Sequence, residues 1–379
     1  MKRRNDLKLT LALCFLVTLF IHVSVTHAAS PICGGWSVVQ SPSPSPPDQL
    51  YSVATVSASD AWAVGSSDSQ SGSGQVLIEH WDGTQWNVVS SPNTGMAESA
   101  LDAVTVVSAN NIWAVGSQGN LSVGDTLIEH WNGTQWNVVS SPNASPQSNE
   151  LSGVVAISAN DVWAAGSFEN KTANQLIDQT LIEHWNGRQW RIISSPNPGR
   201  TLNALSAVTA LSSKEIWAVG SSYTASTGEY ATLTERWNGK RWSVVSSPST
   251  GSSVALSSVA AVSSSDVWAV GETGDQTLTE HWNGTQWTIV ASSGSGVASL
   301  LLGVAVISSS DVWAVGRSLN SDYVSNTLTE HWNGMQWSVV SSPSPGTSES
   351  LLNGVAASAT NDVWAVGVAD TTTLIEHYC

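Results

Sequence analysis

The 379-residue chain is poor in charged residues and in cysteine. Only 11% of it is charged, with 13 Lys or Arg against 29 Asp or Glu, so the net charge is −16. An acidic body of this kind repels phosphate backbones, which excludes nucleic acid as a general partner. The three cysteines form no paired metal-binding motif. The chain also lacks a Gly-rich phosphate loop and a nucleophile elbow, so common catalytic and nucleotide-binding signatures are missing.

Long apolar runs are absent beyond the first 29 residues. The single apolar stretch, LTLALCFLVTLFIHVSV, follows the basic start MKRRNDLK and precedes the small residues THAAS. This order is typical of a secretory signal peptide cleaved near Ala28 or Ala29. An uncleaved anchor is the alternative, but the run is short for a spanning helix and ends in polar residues. We therefore predict a signal peptide over residues 1–29, a secreted extracellular protein and no membrane span after its removal.

A helical period of 3.6 residues is missing as well, and a repeat takes its place. The string D/N/E-x-W-A-V/A-G occurs seven times at spacings of 51, 50, 54, 51, 45 and 51 residues. Each unit contains four short segments rich in Val, Ile, Thr and Trp and bounded by turn residues, which predicts four β-strands, A to D. The strand B tryptophans are Trp62, Trp113, Trp163, Trp217, Trp268, Trp313 and Trp364.

Four short antiparallel strands cannot bury both of their faces alone, so the units must pack against one another. An Asn-Gly or Asp-Gly pair between strands C and D indicates a tight hairpin. Repeats of this length and pattern predict an all-β, seven-bladed β-propeller over residues 30–379. A solenoid is the alternative, but it would need atypical capping repeats at both ends, which the chain lacks.

The seventh unit stops after strand C, at LIEHYC, and the missing strand is found at the other end of the chain. The segment CGGWSVVQ matches a strand D, so we expect residues 33–40 to complete the last blade beside residues 371–379. In this alignment Tyr378 replaces the first Trp of the C–D hairpin and Trp36 the last. Cys379 and Cys33 then flank a cut in one tight turn, which predicts a disulfide that closes the ring.

The unit resembles the kelch repeat over about residues 33–379. WAVGS stands where kelch strand B ends in a diglycine, with only the first glycine kept, and EHWN or ERWN matches the strand C pattern of Glu, basic residue, aromatic and Asp. A further Trp follows at similar spacing. The resemblance implies a binding platform, and it implies oxidase chemistry only in a copper-dependent branch.

Glu, His and Trp recur at fixed repeat positions, with Arg236 replacing the histidine in one unit. Because successive strand residues point to opposite faces, each Glu and its following His should face different neighbouring blades. A role that recurs in every blade is structural first. The alternative is a multivalent lectin, with sugars stacked on Trp between blades. A hydrolase or oxidase would need a polar cluster at the axis that breaks the sevenfold symmetry, and we identify none. We expect no catalytic residues, metal or cofactor.

The candidate ligand site follows from loop variation. The A–B and C–D turns share one face of the disc and hardly vary, whereas the B–C and D–A loops share the other face and carry nearly all the variation. Four of the six aromatics other than Trp beyond residue 29 fall in predicted B–C loops. The predicted ligand-binding residues on this B–C/D–A face are Phe168, Lys171, Arg200, Tyr223, Tyr230 and Tyr323. These aromatic rings could instead fold back over the blade tops.

Eight of the nine basic residues beyond residue 29 lie between residues 171 and 241. They indicate either drift among repeats or a local cationic patch on an acidic body. Together these features predict a monomeric, non-enzymatic binding module for an extracellular protein or surface polysaccharide. The multivalent lectin remains the alternative, and an extracellular hydrolase or oxidase the third possibility.

Overall fold

A computed structural model describes residues 34–68, 74–92, 95–120, 123–172, 175–224, 228–248 and 253–379. These residues form 28 β-strands, which assemble into seven antiparallel sheets of four strands each. The prediction of an all-β, seven-bladed propeller is therefore confirmed. Within the same part of the chain, no helix is long and apolar enough to cross a membrane. The predicted signal peptide lies outside the described residues.

Each of the first six blades takes strands A to D from consecutive segments of the chain. Blades 1 and 2 contain β2 (Asp48–Ser57), β3 (Asp60–Asp68), β4 (Gly74–Trp81), β5 (Trp86–Val88), β6 (Glu98–Ser108), β7 (Asn111–Asn120), β8 (Val123–Trp131) and β9 (Trp136–Val138). Blades 3 and 4 contain β10 (Asn149–Ser158), β11 (Asp161–Lys171), β12 (Leu176–Trp185), β13 (Trp190–Ile192), β14 (Leu202–Ser212), β15 (Glu215–Thr224), β16 (Glu229–Trp237) and β17 (Trp242–Val244). Blades 5 and 6 contain β18 (Val254–Ser263), β19 (Asp266–Thr273), β20 (Gln276–Trp282), β21 (Trp287–Ile289), β22 (Ala298–Ser308), β23 (Asp311–Leu319), β24 (Ser325–Trp332) and β25 (Trp337–Val339).

The seventh blade joins the two ends of the described chain. Its strands are β26 (Ser350–Ala359), β27 (Asp362–Ala369), β28 (Thr372–Tyr378) and β1 (Trp36–Val38). β1 pairs antiparallel with β28 and places Trp36 opposite Tyr378. The Gly34 amide donates a hydrogen bond to the Cys379 carbonyl oxygen, with the two atoms 2.6 Å apart. The predicted closure by an N-terminal outer strand is confirmed. Cys33 lies outside the described residues, so the disulfide remains a prediction.

A steric restriction explains why strand B carries a glycine after its Trp in every blade. In blade 4, Gly220 lies opposite Leu205, and a Cβ on it would collide with the carbonyl oxygen of Ala204. The register shifts by one residue immediately afterwards, which leaves Ser206 as an extra residue in strand A. Such bulges redirect side chains and increase local twist. The corresponding strand A residues of blades 1 to 7 are Tyr51, Asp102, Ser152, Ser206, Ser257, Leu302 and Asn353.

The C–D hairpins use the predicted Asn-Gly chemistry. In blade 2, Gly133 has a φ of 91°, a left-handed conformation that glycine adopts without a Cβ clash. The Asn132 side-chain oxygen accepts hydrogen bonds from the amides of Thr134 and Gln135, each at 3.0 Å. This side chain therefore holds the turn closed and fixes the register between strands C and D.

The hydrophobic core lies between the blades. Trp62 of blade 1 packs against Trp131 of blade 2, with ring centroids 4.9 Å apart. At the seam, Trp313 of blade 6 contacts Tyr378 at 4.6 Å and Trp36 at 5.4 Å. The residues from the two chain ends therefore take the places that tryptophans occupy elsewhere. Each such pair adds about 0.5–1.5 kcal/mol beyond the burial of its area.

Hydrogen bonds between loops confirm which loops share a face. The Asp68 amide at the end of strand B donates to the Pro47 carbonyl in the preceding D–A loop, over 2.9 Å. In blade 3 the Glu169 amide donates to the Ser148 carbonyl over 2.8 Å. The B–C and D–A loops thus lie side by side, and variation in either one changes the same surface.

Candidate functional site

The repeated histidines lie at the interfaces between blades. His80 stacks on Trp62, its cross-strand partner, with ring centroids 4.2 Å apart. Its Nε2 lies 2.9 Å from the Asp60 carboxylate. In blade 4, Arg236 takes this place, with its guanidinium 5.0 Å from the Trp217 ring centroid and 2.5 Å from the Glu215 carboxylate. A histidine or arginine over Trp, held by Asp or Glu and in blade 2 by Asn111, therefore recurs as an element of the scaffold.

The repeated glutamates are fully buried and face the preceding blade. The Ser91 hydroxyl of the blade 1 exit loop donates to Glu129 of blade 2 over 2.7 Å. Burial raises the pKa of Glu183, Glu235 and Glu376 to about 8. None of the seven side chains is reachable from solvent: Glu79, Glu129, Glu183, Glu235, Glu280, Glu330 and Glu376. A sugar between the blades could not contact them, which argues against the lectin built on these positions.

The predicted ligand residues of blades 3 and 4 lie mainly on strands, whereas the sequence suggested loops. Strands B and C extend past their expected ends, so Lys171 terminates β11 and Tyr223 pairs with Tyr230 across β15 and β16. These two tyrosine rings are 4.3 Å apart, and Tyr230 is 40% exposed. Phe168 instead packs on the core between blades 2 and 3, so this ring does fold back. Arg200 is exposed, and its amide lies 3.4 Å from the Thr224 hydroxyl, beside the tyrosine pair.

Tyr323 lies apart from that group, at the tip of the B–C hairpin in blade 6. Its side chain is 77% exposed and its φ is 61°. The side-chain oxygen of Asn320 accepts hydrogen bonds from the amides of Asp322 and Val324, at 2.9 and 3.0 Å, and so holds the turn. A bulky residue with positive φ is an outlier that surrounding structure must maintain. The structure therefore brings Arg200, Tyr223 and Tyr230 together and leaves Tyr323 separate.

A depression that the sequence did not predict crosses blades 1 to 3 on the B–C/D–A face. It encloses about 470 Å³ between the ends of strands A and B and the adjoining loops. Four carboxylates from three blades line it, namely Asp68, Glu98, Glu150 and Glu169. None of the described residues that line it is basic. The depression is therefore a strongly acidic recess on a face where the blades differ from one another.

The strand A residues at the bulges form a ring around the axis beside this depression. The ring contains Tyr51 and Asp102 in the first two blades, three serines, Leu302 and Asn353. Burial, with a further contribution from the Glu150 charge, raises the pKa of Asp102 to about 7. The Tyr51 hydroxyl lies 2.9 Å from the Ser66 hydroxyl. The expectation that no polar cluster breaks the symmetry at the axis is therefore wrong.

The sequence contains a signal for this ring, although a comparison of whole blades does not reveal it. Around the bulge, strand A reads LYSV, LDAV, LSGV, LSAV, LSSV, LLGV and LNGV in the seven blades; the third residue is always small, whereas the second is aromatic, acidic, polar or aliphatic. Among the described residues, no group of three or more His, Cys, Asp or Glu side chains is placed to hold a metal ion. The ring and the depression offer hydrogen bonds and negative charge, which suits recognition.

Comparison with known proteins shows the fold. No protein-family model matches the chain, and no curated protein does. The solved structure "YCF48 bound to D1 peptide" is similar, with 13% identity, a TM-score of 0.57, and coverage of 91% of this chain and 97% of that one. "YCF48 from Cyanidioschyzon merolae" shows 14% identity, a TM-score of 0.56, and coverage of 91% and 99%.

A third structure, "Crystal structure of RRP9 WD40 repeats", shows 11% identity and a TM-score of 0.57, with coverage of 90% of this chain and 96% of that one. The likeness establishes a seven-bladed propeller with WD40-type neighbours. The resemblance to the kelch repeat finds no matching family model and remains a prediction.

Proposed function

We propose that this propeller is a non-enzymatic, exported binding module that recognises a polypeptide segment on its B–C/D–A face. The acidic depression across blades 1 to 3 carries the proposal, because it is built from residues in which these blades depart from the repeat. A ligand on a repeat scaffold is selected by such departures, held on a rigid frame.

The chemistry of the depression favours a segment that carries Lys or Arg. Carboxylates at Asp68, Glu98, Glu150 and Glu169 would pair with its cations, and the exposed Tyr230 could extend the contact over blade 4. The solved structure "YCF48 bound to D1 peptide" has the same fold, which supports a polypeptide ligand for this architecture. Export, proposed from the N-terminal segment, would place this recognition outside the cell.

Selection from a random peptide library, followed by calorimetry on synthetic hits, tests the proposal. We expect enrichment of basic peptides that bind with one peptide per chain. Glu150→Gln combined with Glu169→Gln should weaken binding by about tenfold or more, since both carboxylates line the depression. Asp322→Asn, an exposed carboxylate of blade 6 on the same face, is the matched control and should leave the affinity unchanged.

Two results would contradict the proposal. One is a selection that yields no peptide whose binding depends on Glu150 and Glu169. The other is a glycan array in which several equivalent sugars bind per chain, which would support the multivalent lectin.

A further inference from the structure

Basic residues replace the usual residues of the C–D turns in two adjacent blades. After the Gly of this turn, blades 1, 2 and 5 carry Thr-Gln and blade 6 carries Met-Gln. Blade 3 carries Arg188-Gln189 at the same place, and blade 4 carries Lys240-Arg241. These turns lie on the A–B/C–D face, opposite the acidic depression. The A–B/C–D face, which hardly varies in the other blades, therefore varies in blades 3 and 4, where it gains positive charge.

Two further cations join them. Lys214 occupies an A–B turn position that is Ser or Asn in the other blades, and Arg191 occupies a strand D position that is otherwise Asn, Ser or Thr. The Lys214 side chain lies against the C–D turn of its own blade, because a Cβ built on Gly239 would lie 3.1 Å from its Cγ. Lys214 is thus next to the turn that bears Lys240 and Arg241.

We call these five residues the basic strip: Arg188, Arg191, Lys214, Lys240 and Arg241. All five are exposed, and none lies within 4.0 Å of a carboxylate among the described residues.

The acidic residues that begin strand B in these two blades are already engaged. Asp161 is 2.8 Å from His184, and Glu215 is bonded to Arg236. Random drift would scatter basic residues around the ring and over both faces. Five cations without a described acidic partner, gathered on one face of two neighbouring blades, indicate instead a surface for an anion.

An open depression adjoins Lys240 and Arg241 of the strip. It holds about 580 Å³ between the exit loop of blade 3 and the C–D turn of blade 4. Its walls are Ile193, Pro196 and Trp237, with Lys240 and Arg241 beside them. Trp237 is only half-buried, and its indole nitrogen donates to the Ser213 carbonyl over 3.2 Å, which fixes the ring. An aromatic ring next to cations suits a ligand with apolar ring faces and acidic substituents.

We propose that the basic strip binds a linear acidic polysaccharide, with its carboxylate or sulfate groups on the cations and one sugar ring against Trp237. The rest of the molecule favours this partner over a membrane or a DNA duplex. A net charge of −16 repels a broad anionic surface, whereas a thin chain can follow the strip and avoid the remaining acidic surface. This site lies on the face opposite the proposed polypeptide site and is independent of it.

The test measures binding of the full chain to a short oligogalacturonate and a heparin oligosaccharide at low salt, with a neutral maltooligosaccharide as reference. We expect binding to the acidic probes only. Lys240→Thr with Arg241→Gln restores the residues found in blades 1, 2 and 5, so the turn should fold normally. We expect this variant to lose about tenfold or more in affinity, and the slope of log K against log salt to fall by about two.

A charge-relocated variant is the matched control. It combines Lys240→Thr and Arg241→Gln with Met335→Lys and Gln336→Arg in blade 6. The net charge is then that of the wild type, but the two positive charges lie in blade 6 instead of blade 4. We expect binding to remain as weak as in the double variant. Wild-type affinity in the relocated variant would overturn the proposal, as would no binding of either acidic oligosaccharide. Tighter binding of a DNA duplex or of phosphatidylserine vesicles would overturn it in favour of those partners.

Discussion

A missing Cβ determines how closely strands A and B approach in every blade. All seven strand B glycines lie where an added methyl group would meet a backbone carbonyl oxygen of strand A. Backbone cannot yield as a flexible side chain does, so the collision must displace a whole strand. The glycine in WAVG therefore reflects steric exclusion, and the adjacent bulges show how tightly the two strands are fitted.

Gly220→Ala should destabilise the protein by about 2–3 kcal/mol, because the new methyl group overpacks a fully buried position. Urea unfolding monitored by tryptophan fluorescence gives the difference. Gly35→Ala is the matched control, since no atom lies within 4 Å of a Cβ built there. Equal stability of the two variants would show that strand A simply moves aside.

The buried glutamates affect stability through their protonation. Glu235 is fully buried, and burial raises its pKa from 4.5 to about 8. Between these values the unfolded chain carries a carboxylate, while the folded chain keeps the proton. Folding then takes up a proton. The contribution of Glu235 to the free energy of unfolding is therefore most favourable below pH 4.5 and falls as the pH rises towards 8.

Glu235→Gln replaces the protonated carboxyl by a neutral group of similar shape. We expect the decline in unfolding free energy between pH 5 and 8 to become shallower by roughly 1.4 kcal/mol per pH unit. Urea unfolding at several pH values measures this slope. Glu229→Gln, at an exposed position of the same strand, should leave it unchanged. A parallel decline in wild type and Glu235→Gln would mean that Glu235 does not hold its proton.

At the scale of elements, β1 shows what repeats make predictable. Comparison of the seven units indicated that the last blade lacks strand D and that the N-terminal segment supplies it, and the pairing of Trp36 with Tyr378 confirms this. The same reasoning predicted the Asn-Gly hairpins and the shared loop faces. Strand ends in blades 3 and 4 were less predictable, because cross-strand pairs such as Tyr223 and Tyr230 extend the sheet into a segment whose composition resembles a loop.

The seam should also be covalently closed. The Gly34 amide donates a hydrogen bond to the Cys379 carbonyl oxygen, and Cys33 is the residue before Gly34 in the sequence. We expect mass spectrometry of the non-reduced protein to find peptides that contain Cys33 and Cys379 linked to each other. In the loop-entropy model so long a loop contributes about 5 kcal/mol as an upper limit, so reduction should lower Tm. Alkylation of both thiols without prior reduction would contradict the predicted disulfide.

At the scale of the whole molecule, the seven buried glutamates act together. Burial raises the pKa of all seven, to about 8 in five of them and to about 7 in Glu129, so each contributes a loss of stability as the pH rises above about 4.5. Asp82 works in the opposite sense, because hydrogen bonds within its turn lower its pKa to about 2. Its contribution is present above pH 3.8 and is lost as the pH falls towards 2.

The protein should therefore be most stable near pH 4–5 and lose stability towards pH 8. The net charge of −16 adds self-repulsion in the same direction. Differential scanning calorimetry between pH 3 and 9 measures the profile. A Tm that increases steadily from pH 5 to 8 would contradict the assignment of neutral glutamates between the blades.

The functional surfaces were harder to predict than the fold, for a physical reason. Residues that recur in every blade identify the positions that the fold requires, whereas we expect a ligand to bind residues in which single blades differ. Asp102 of the axial ring and Glu150 of the depression come from different blades, about fifty positions apart in sequence, and only the packing of the two blades brings them close enough for the charge of one to affect the other. Tyr323 and Lys240 could be identified as departures, but the face on which each side chain emerges depends on the hairpin geometry.

We propose that shared positions build the ring and that departures from the repeat recognise the ligand. Glu150→Gln tests this most directly, because Gln49 already occupies the matching strand A position in blade 1. Calorimetric titration with a selected basic peptide should show one site per wild-type chain and about tenfold weaker binding in the variant, whose Tm is undiminished. Unchanged affinity in a stably folded Glu150→Gln protein would contradict the proposal.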